Sequence, residues 1–308
     1  MRTSRMTSTA PAHRPPFAFI EAPLDRAEHL RDAAVLAARW PSARVLVLDA
    51  DGNAGADNRD GPLVRTGADF DDAAAFASAL FLGLRGTEAW FALRAGSAVL
   101  QAPRQVDLRT AAANWPVFEA TAFAQARAVL HWQTRHRHCG ACGGLLEFLR
   151  AGWLGHCLQC GLEHYPRTDP AVIVAVSDGE RLLLGRNAGW PPGRYSTLAG
   201  FVEPGESLEQ TVMREVFEES GVRVRACRYL TSQPWPFPSS LMLGFTAESE
   251  PDEPRVGDEL EEARWFTFAE VDAALRGASG DDGLLLSPPI SISRWLVEQW
   301  HARMAAGG

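Results

Sequence analysis

Three glutamates, Glu215, Glu218 and Glu219, are the side chains of this sequence best spaced to do chemistry together. They belong to Arg214-Glu215-Val216-Phe217-Glu218-Glu219-Ser220-Gly221-Val222, which follows Gly200-Phe201-Val202-Glu203-Pro204-Gly205-Glu206 after seven residues. On a helix turning ~100° per residue the three carboxylates share an arc of ~100°, and Val212, Met213, Val216 and Phe217 fill the neighbouring ~140°. The spacing predicts a face that packs and a surface face that binds. Ser207, with Gln210 three residues on, predicts the helix start, and Gly221 its stop. Like charges crowded near a helix C-terminus repel one another and oppose the helix dipole. A hard divalent cation, magnesium or manganese, would compensate them and keep positions open for phosphate and water. Arg214 is placed to pair with one of the glutamates and fix its rotamer. A solvated acidic face is the plainer alternative, and the spacing of Gly200, Glu206 and Gly221 argues against it.

A second cluster has a different chemistry. Cys139 and Cys142 are separated by two residues, as are Cys157 and Cys160, with fourteen residues between the pairs. Two such knuckles close a tetrahedron of thiolates around zinc and leave no open position, so the site is read as structural. Gly140, Gly143, Gly144 and Gly161 supply the turns. Nearby His136, His138, His156 and His164 are expected at the surface, and Cys227 is expected as an ordinary buried or half-buried thiol. Residues 120–168 hold five Arg against two acids, which leaves an RNA-contacting ribbon open beside a purely structural one. Ten residues past the carboxylate stretch comes Ser232-Gln233-Pro234-Trp235-Pro236-Phe237-Pro238-Ser239-Ser240. Alternating prolines predict a stiff extended segment presenting Trp and Phe rings to flat bases.

The elements that must position these groups follow from pattern and length. At 308 residues and 46% hydrophobic content, the chain is long enough for about two domains. It has no Lys, which excludes a Schiff-base lysine and a P-loop lysine. A net charge of −8 argues against bulk binding to duplex DNA or an anionic membrane. No apolar stretch reaches the ~20 residues of a membrane span. Residues 1–16 read as a disordered leader. Residues 17–132 read as a mixed α/β domain, with helices over 26–39 and 71–82, a strand over 44–48, a surface turn over 49–60 and a helix over 110–132. Residues 133–166 form the ribbon, and 167–308 a second α/β domain that opens on a strand near Pro170. It carries a polar loop at 251–257, a linker at 284–289 and a closing amphipathic helix from Ile292. No internal repeat is visible.

Residues 200–222 match every fixed position of the Nudix box, G-x5-E-x7-R-E-U-x-E-E-x-G-U with U aliphatic. The run from Ser232 to Ser240 is similar to the SQPWPFPxS signature of the NADH pyrophosphatase subfamily, whose bacterial members also remove NAD caps from RNA. That subfamily carries a four-cysteine ribbon directly before the Nudix domain. The resemblance covers residues 139 to about 300 by motif and the first 130 by position only. It implies a Nudix α/β/α sandwich preceded by a zinc ribbon and an N-terminal mixed α/β domain. It implies Glu215, Glu218 and Glu219 as catalytic metal ligands for Mg²⁺ or Mn²⁺, joined by the Ala199 carbonyl and by Glu259. It further implies substrate contacts from Tyr165, from Phe201, along Gln233, Pro234, Trp235, Pro236, Phe237, Pro238, Ser239 and Ser240, and from Ser293, which stands where the subfamily usually has Ala.

The activity implied is hydrolysis of the pyrophosphate of NADH or NAD to nicotinamide mononucleotide and AMP, with NAD-capped RNA as a further substrate. The resemblance also implies a homodimer in which Tyr165 reaches the partner's site, and a cytoplasmic enzyme with no membrane partner. Two other readings compete: a Nudix hydrolase of another nucleoside diphosphate such as ADP-ribose, and a zinc-ribbon RNA-binding protein with a vestigial Nudix domain.

Overall fold

The computed structural model describes residues 17–21, 24–70, 73–95, 102–278 and 283–307. The expected leader at residues 1–16 lies outside them. The N-terminal part contains α1 (Ala33–Ala37), β1 (Arg44–Leu48), β2 (Ala54–Ala56), β3 (Arg65–Thr66), α2 (Ala73–Ser78), β4 (Leu80–Arg85), β5 (Glu88–Arg94), β6 (Arg104–Val106), α3 (Leu108–Asn114) and α4 (Val117–Arg135). The ribbon is a three-stranded sheet of β7 (Leu146–Leu149), β8 (Leu154–Cys157) and β9 (Glu163–His164). The C-terminal part contains β10 (Asp169–Ser177), β11 (Leu182–Arg186), β12 (Leu198–Phe201), α5 (Leu208–Ser220), β13 (Val224–Trp235), β14 (Ser240–Ser249), β15 (Glu262–Phe266), α6 (Phe268–Leu275) and α7 (Ile292–Ala305).

Alternation along β10 builds the C-terminal sandwich. Val172, Val174 and Val176 face α5 and meet Val212 and Val216, while Ile173 and Ala175 point the other way, onto Ile292 and Leu296 of α7. Because both faces are covered, the strand reads as a nearly unbroken apolar run. The N-terminal sheet is covered in the same way. Leu46 and Leu48 face α4, and Val45 and Val47 face Trp40 and Phe76.

Several expectations change. Only part of 26–39 is helical, as α1, and residues 80–85 form β4 rather than continuing a helix. Leu80, Phe81 and Leu82 are fully buried, so a strand between two layers satisfies them where a one-sided helix would not. The loop at 49–60 contains the buried strand β2. The helix over 110–132 is two helices broken at Pro116, since α3 ends at Asn114 and proline cannot donate to a continuing ladder.

The topology repeats where the sequence shows no repeat. The first sheet runs β4-β5-β1-β2-β6 with β3 on β1, and the second runs β13-β14-β10-β11-β15 with β12 on β10. Each central strand pairs parallel with one neighbour and antiparallel with two others. Helices follow the third and sixth strands in both halves. Topology depends on where apolar residues fall and not on their identity, so the repeat leaves no trace in residue identity. The chemistry is not repeated: α2, the counterpart of α5, reads Ala-Ala-Ala-Phe-Ala-Ser.

Gln233 ties the parts together. It is wholly buried; its Nε2 donates to the carbonyls of Ala18 (2.9 Å) and Ile290 (2.8 Å), and its Oε1 accepts from the N–H of Ile292 (2.8 Å) at the start of α7. Removing one side of such a set leaves buried polar groups unpaired at ~1–3 kcal/mol each. Gln233→Leu is therefore expected to lower stability by about 2–4 kcal/mol, seen as a lower urea midpoint with an unchanged slope.

Candidate active site

Helix α5 begins and ends as its sequence dictates. The Ser207 hydroxyl accepts from the N–H of Gln210, the Gln210 side chain accepts from the N–H of Ser207, and Gly221 takes φ 69°. The packing face is narrower than the periodicity implies. Val212 and Val216 are fully buried, but Met213 and Phe217 are 42% and 55% exposed, because the sheet reaches only one side of the helix.

The carboxylates also differ from a surface cluster. Glu215 and Glu219 are buried, each 8% exposed, and only Glu218 is open to solvent. Arg214 links three acids. Its Nε and Nη2 form a fork on Glu206 (2.6 and 2.8 Å), and its Nη1 donates to Glu215 (2.9 Å) and Glu218 (2.9 Å). Nη2 also donates to the Phe201 carbonyl (3.0 Å), fixing the end of β12. Glu206 accepts as well from the Glu203 N–H and the Thr211 hydroxyl. The Arg214 fork, followed by these donors, holds its carboxyl down to about 2. Glu206 is thus the residue that positions Arg214, a role that sequence reasoning missed; its signal was the fixed spacing of eight to the arginine.

Gly200 has a steric purpose. A Cβ there would lie 1.9 Å from Cδ of Glu215, so only glycine lets that carboxylate lie against β12. Burial raises the pKa of Glu215, with Arg214 pulling against it. Burial, then the charges of Glu215 and Glu259, push Glu219 up to about 8, and only the Ala199 N–H pulls it down. Glu219 Oε2 is buried with no hydrogen-bond partner. In an antiparallel ladder the N–H and C=O of one residue point to the same side, so the Ala199 carbonyl opens on the edge that meets Glu219. A buried, unpaired carboxylate oxygen among like charges and a free carbonyl form an all-oxygen donor set that suits a hard divalent cation.

Glu259 couples electrostatically to both buried glutamates. Its neighbours are engaged elsewhere: Glu261 pairs with Arg186 (2.8 Å), and Glu262 accepts from the Tyr195 hydroxyl. Geometry thus favours Glu259 among the three.

In the ribbon, the four cysteine sulfurs lie within 4.8 Å of one another, with Cys139–Cys160 at 3.7 Å and Cys142–Cys157 at 3.5 Å. Four sulfurs at ~2.3 Å from one zinc would be about 3.8 Å apart, and disulfide sulfurs only ~2.05 Å. The donors and their spacing fit zinc. The Cys160 N–H aimed at Cys157 draws that thiol down to about 6. The expectation of exposed histidines holds for His138 alone. His136, His156 and His164 are half-buried, and His164 Nε2 lies 3.3 Å from Cys139 Sγ. Cys227 is half-buried against the core under α5.

The segment from Ser232 to Ser240 is not extended throughout. Residues to Trp235 end β13, Ser240 begins β14, and residues 236–239 turn between them, with a cis Phe237–Pro238 bond. The turn returns the chain because β13 and β14 pair antiparallel across it. Pro236 is buried, Pro234 and Pro238 are exposed, and Ser239 donates to Asp169. Phe237 packs on the N-terminal core beneath Arg109 (4.1 Å) and Arg127 (5.2 Å) and beside Trp235 (4.8 Å). Trp235, Gln233 and Ser293 line one cavity of about 700 Å³ on the α7 face. Ser293 Oγ bonds the hydroxyls of Ser196 (2.8 Å) and Thr197 (2.9 Å). Phe201, 59% exposed, lies two residues beyond Ala199 on the same strand face. Tyr165 stands apart, exposed on the ribbon with its hydroxyl on Glu163.

A NUDIX domain matches residues 167–286, an NADH pyrophosphatase zinc ribbon domain residues 134–165, and an NADH pyrophosphatase-like rudimentary NUDIX domain residues 24–132. Fold and site thus define a Nudix hydrolase with a four-cysteine zinc ribbon. The chain is 40% identical to the NAD-capped RNA hydrolase NudC of Mycobacterium bovis over 297 residues, covering 90% of this chain and 92% of that protein. It is 45% identical to the NAD-capped RNA hydrolase NudC of Stutzerimonas stutzeri over 174 residues, 56% of this chain and 58% of that one. It is 43% identical to the NAD-capped RNA hydrolase NUDT12 of Macaca fascicularis over 194 residues, 59% and 42% of the two chains. The chain belongs to the NADH pyrophosphatase family of Nudix hydrolases. Among the described residues no helix is long and apolar enough to cross a membrane.

Gly200→Ala is expected to displace Glu215 and weaken Mn²⁺ binding about 10–100-fold, the cost typical of disturbing a ligand's support, as measured by calorimetric titration. A second expectation concerns pH. A folded carboxyl that keeps its proton to about 8, against 4.5 for its ordinary value, favours the folded state fully below pH 4.5. That contribution is lost as pH rises through about 8. In zinc-loaded protein free of other divalent ions, the fall of Tm between pH 5 and 8 should be shallower for Glu219→Gln than for the parent.

Proposed function

We propose that this protein hydrolyses the pyrophosphate of NADH and NAD to nicotinamide mononucleotide and AMP, and removes NAD caps from RNA 5′ ends. The observation that carries this reading is the unpaired Oε2 of Glu219, buried beside Glu215 and Ala199 and one strand pair from the cavity lined by Trp235 and Ser293. The names of the relatives point to the same substrates. Mg²⁺ or Mn²⁺, held by Glu215, Glu218, Glu219, Glu259 and the Ala199 carbonyl, neutralises phosphate charge and acidifies water when bound.

The chain's own residues do the remaining work. Glu219 accepts the proton of the attacking water. Water adds to one phosphorus, the bridging P–O bond breaks, and the leaving phosphate carries the electron pair. Arg214 holds Glu215 and Glu218 at fixed positions so that little ordering is left for the moment of reaction. Trp235 and Phe201 provide aromatic surface for the nucleosides. In this reading the enzyme is a cytoplasmic homodimer. Leu145, Leu158, Leu162 and Tyr165 are exposed apolar residues of the ribbon, and such surface marks contact sites.

Incubating the zinc-loaded protein with NADH and Mn²⁺ or Mg²⁺ should release AMP and reduced nicotinamide mononucleotide, resolved by chromatography. Parallel turnover of NAD and NAD-capped RNA would rank the substrates. Glu219→Gln should lower kcat by about 10²–10⁴-fold while the protein stays folded. Parent-like turnover by that variant would remove Glu219 from the proton-accepting role.

A further inference from the structure

The cavity of about 700 Å³ on the α7 face has an unusual charge for this chain. The protein carries 38 acids against 30 arginines, yet the cavity is lined by Arg109 and Arg194 and, among the described residues, by no carboxylate. The two arginines come from different parts of the molecule. Arg109 belongs to α3 of the N-terminal part, and Arg194 to the loop before β12. Arg109 is held by ring faces, 4.1 Å over Phe237 and 6.0 Å from Trp235. Its near acid, Asp107, caps α3 through the N–H groups of Arg109 and Thr110. Arg194 lies over Trp190 at 5.5 Å, and its Nε is buried without a hydrogen-bond partner. Stacked guanidiniums keep their charge and donors while losing little freedom on binding, which suits recognition of phosphate.

The floor of the cavity lies against β12, the strand that also borders the carboxylates. Ile173, which lines it, stands opposite Ala199 in the β10–β12 ladder, and such facing residues have Cβ atoms about 5 Å apart. In the reading above, a pyrophosphate held at the carboxylates lies across β12 from that end. The arginines enter from the other walls, α3 and the 194 loop. From this geometry we infer that Arg109 and Arg194 form a subsite for a phosphate outside the pyrophosphate bridge, carried on the adenylate ribose. This rests on the reading of the carboxylate site as a dinucleotide pyrophosphatase. Two sources share the chemistry: the 2′-phosphate of a phosphorylated dinucleotide, and the 3′-phosphodiester by which an RNA chain continues from its cap. The N-terminal part thereby has a direct task in substrate choice although it lacks the carboxylates.

Calorimetric titration of the zinc-loaded full chain, without Mg²⁺ or Mn²⁺, with AMP, adenosine 2′,5′-bisphosphate and adenosine 3′,5′-bisphosphate tests this. A bisphosphate should bind roughly 10–100-fold more tightly than AMP, the range for a charge-assisted pair. The position preferred, 2′ or 3′, identifies the source. In Arg109→Gln and Arg194→Gln that ratio should fall to about one, and the corresponding Lys variants should restore part of it. Equal binding of AMP and both bisphosphates, no binding of any, or a ratio that survives both Gln substitutions overturns the subsite. NADH turnover by the parent separates the two conclusions. Hydrolysis without bisphosphate preference refutes the subsite alone, and preference without hydrolysis refutes the pyrophosphatase reading alone.

Discussion

The central constraint is electrostatic. Two glutamates are buried within reach of each other and of Glu259, and burial raises the pKa of both. One arginine faces them, and it is shared among three acids. The folded chain therefore holds carboxyls at the edge of β12 that resist ionising without a cation beside them, and the remaining surroundings follow from that. Gly200 gives up its side chain so that Glu215 can lie against the strand, Glu206 anchors Arg214, and the Ala199 backbone faces the same gap. A divalent cation offsets this arrangement, and without one the site is held together only by the rest of the fold.

The repeated topology shows how little of a fold its chemistry requires. Both sheets share strand order, the senses of pairing and helix positions, but the helix that carries the carboxylates in one half is a short alanine-rich turn in the other. Apolar alternation is enough to build the sandwich twice. The N-terminal half supplies contact instead: its core receives Phe237, Arg127 donates to the Pro236 carbonyl, and α3 closes one wall of the cavity.

The proline-rich motif illustrates a division within a single segment. Its Trp faces the cavity, and its Phe packs on the N-terminal core, because β13 ends at Trp235 and the turn that follows redirects the chain. Gln233, between two exposed or half-exposed neighbours, is wholly buried and bonded only to backbone. A residue of such a motif can thus also be the bond that keeps the motif in place.

Local physics made much of this protein legible in its sequence. The 3.6-residue period put three carboxylates on one stripe, the Ser207 and Gly221 caps bounded their helix, and two C-x2-C pairs described a zinc site, since each depends on neighbours a few residues away. Tertiary packing decided the rest. Whether Glu215 is buried, which of Glu259, Glu261 and Glu262 couples to it, which side of α5 stays exposed, and that Arg109 and Arg194 share one cavity all depend on segments 15 to 85 residues apart in the chain. The duplicated sheets belong with these, because strand order is set by which apolar faces meet, and a linear pattern does not record the partner.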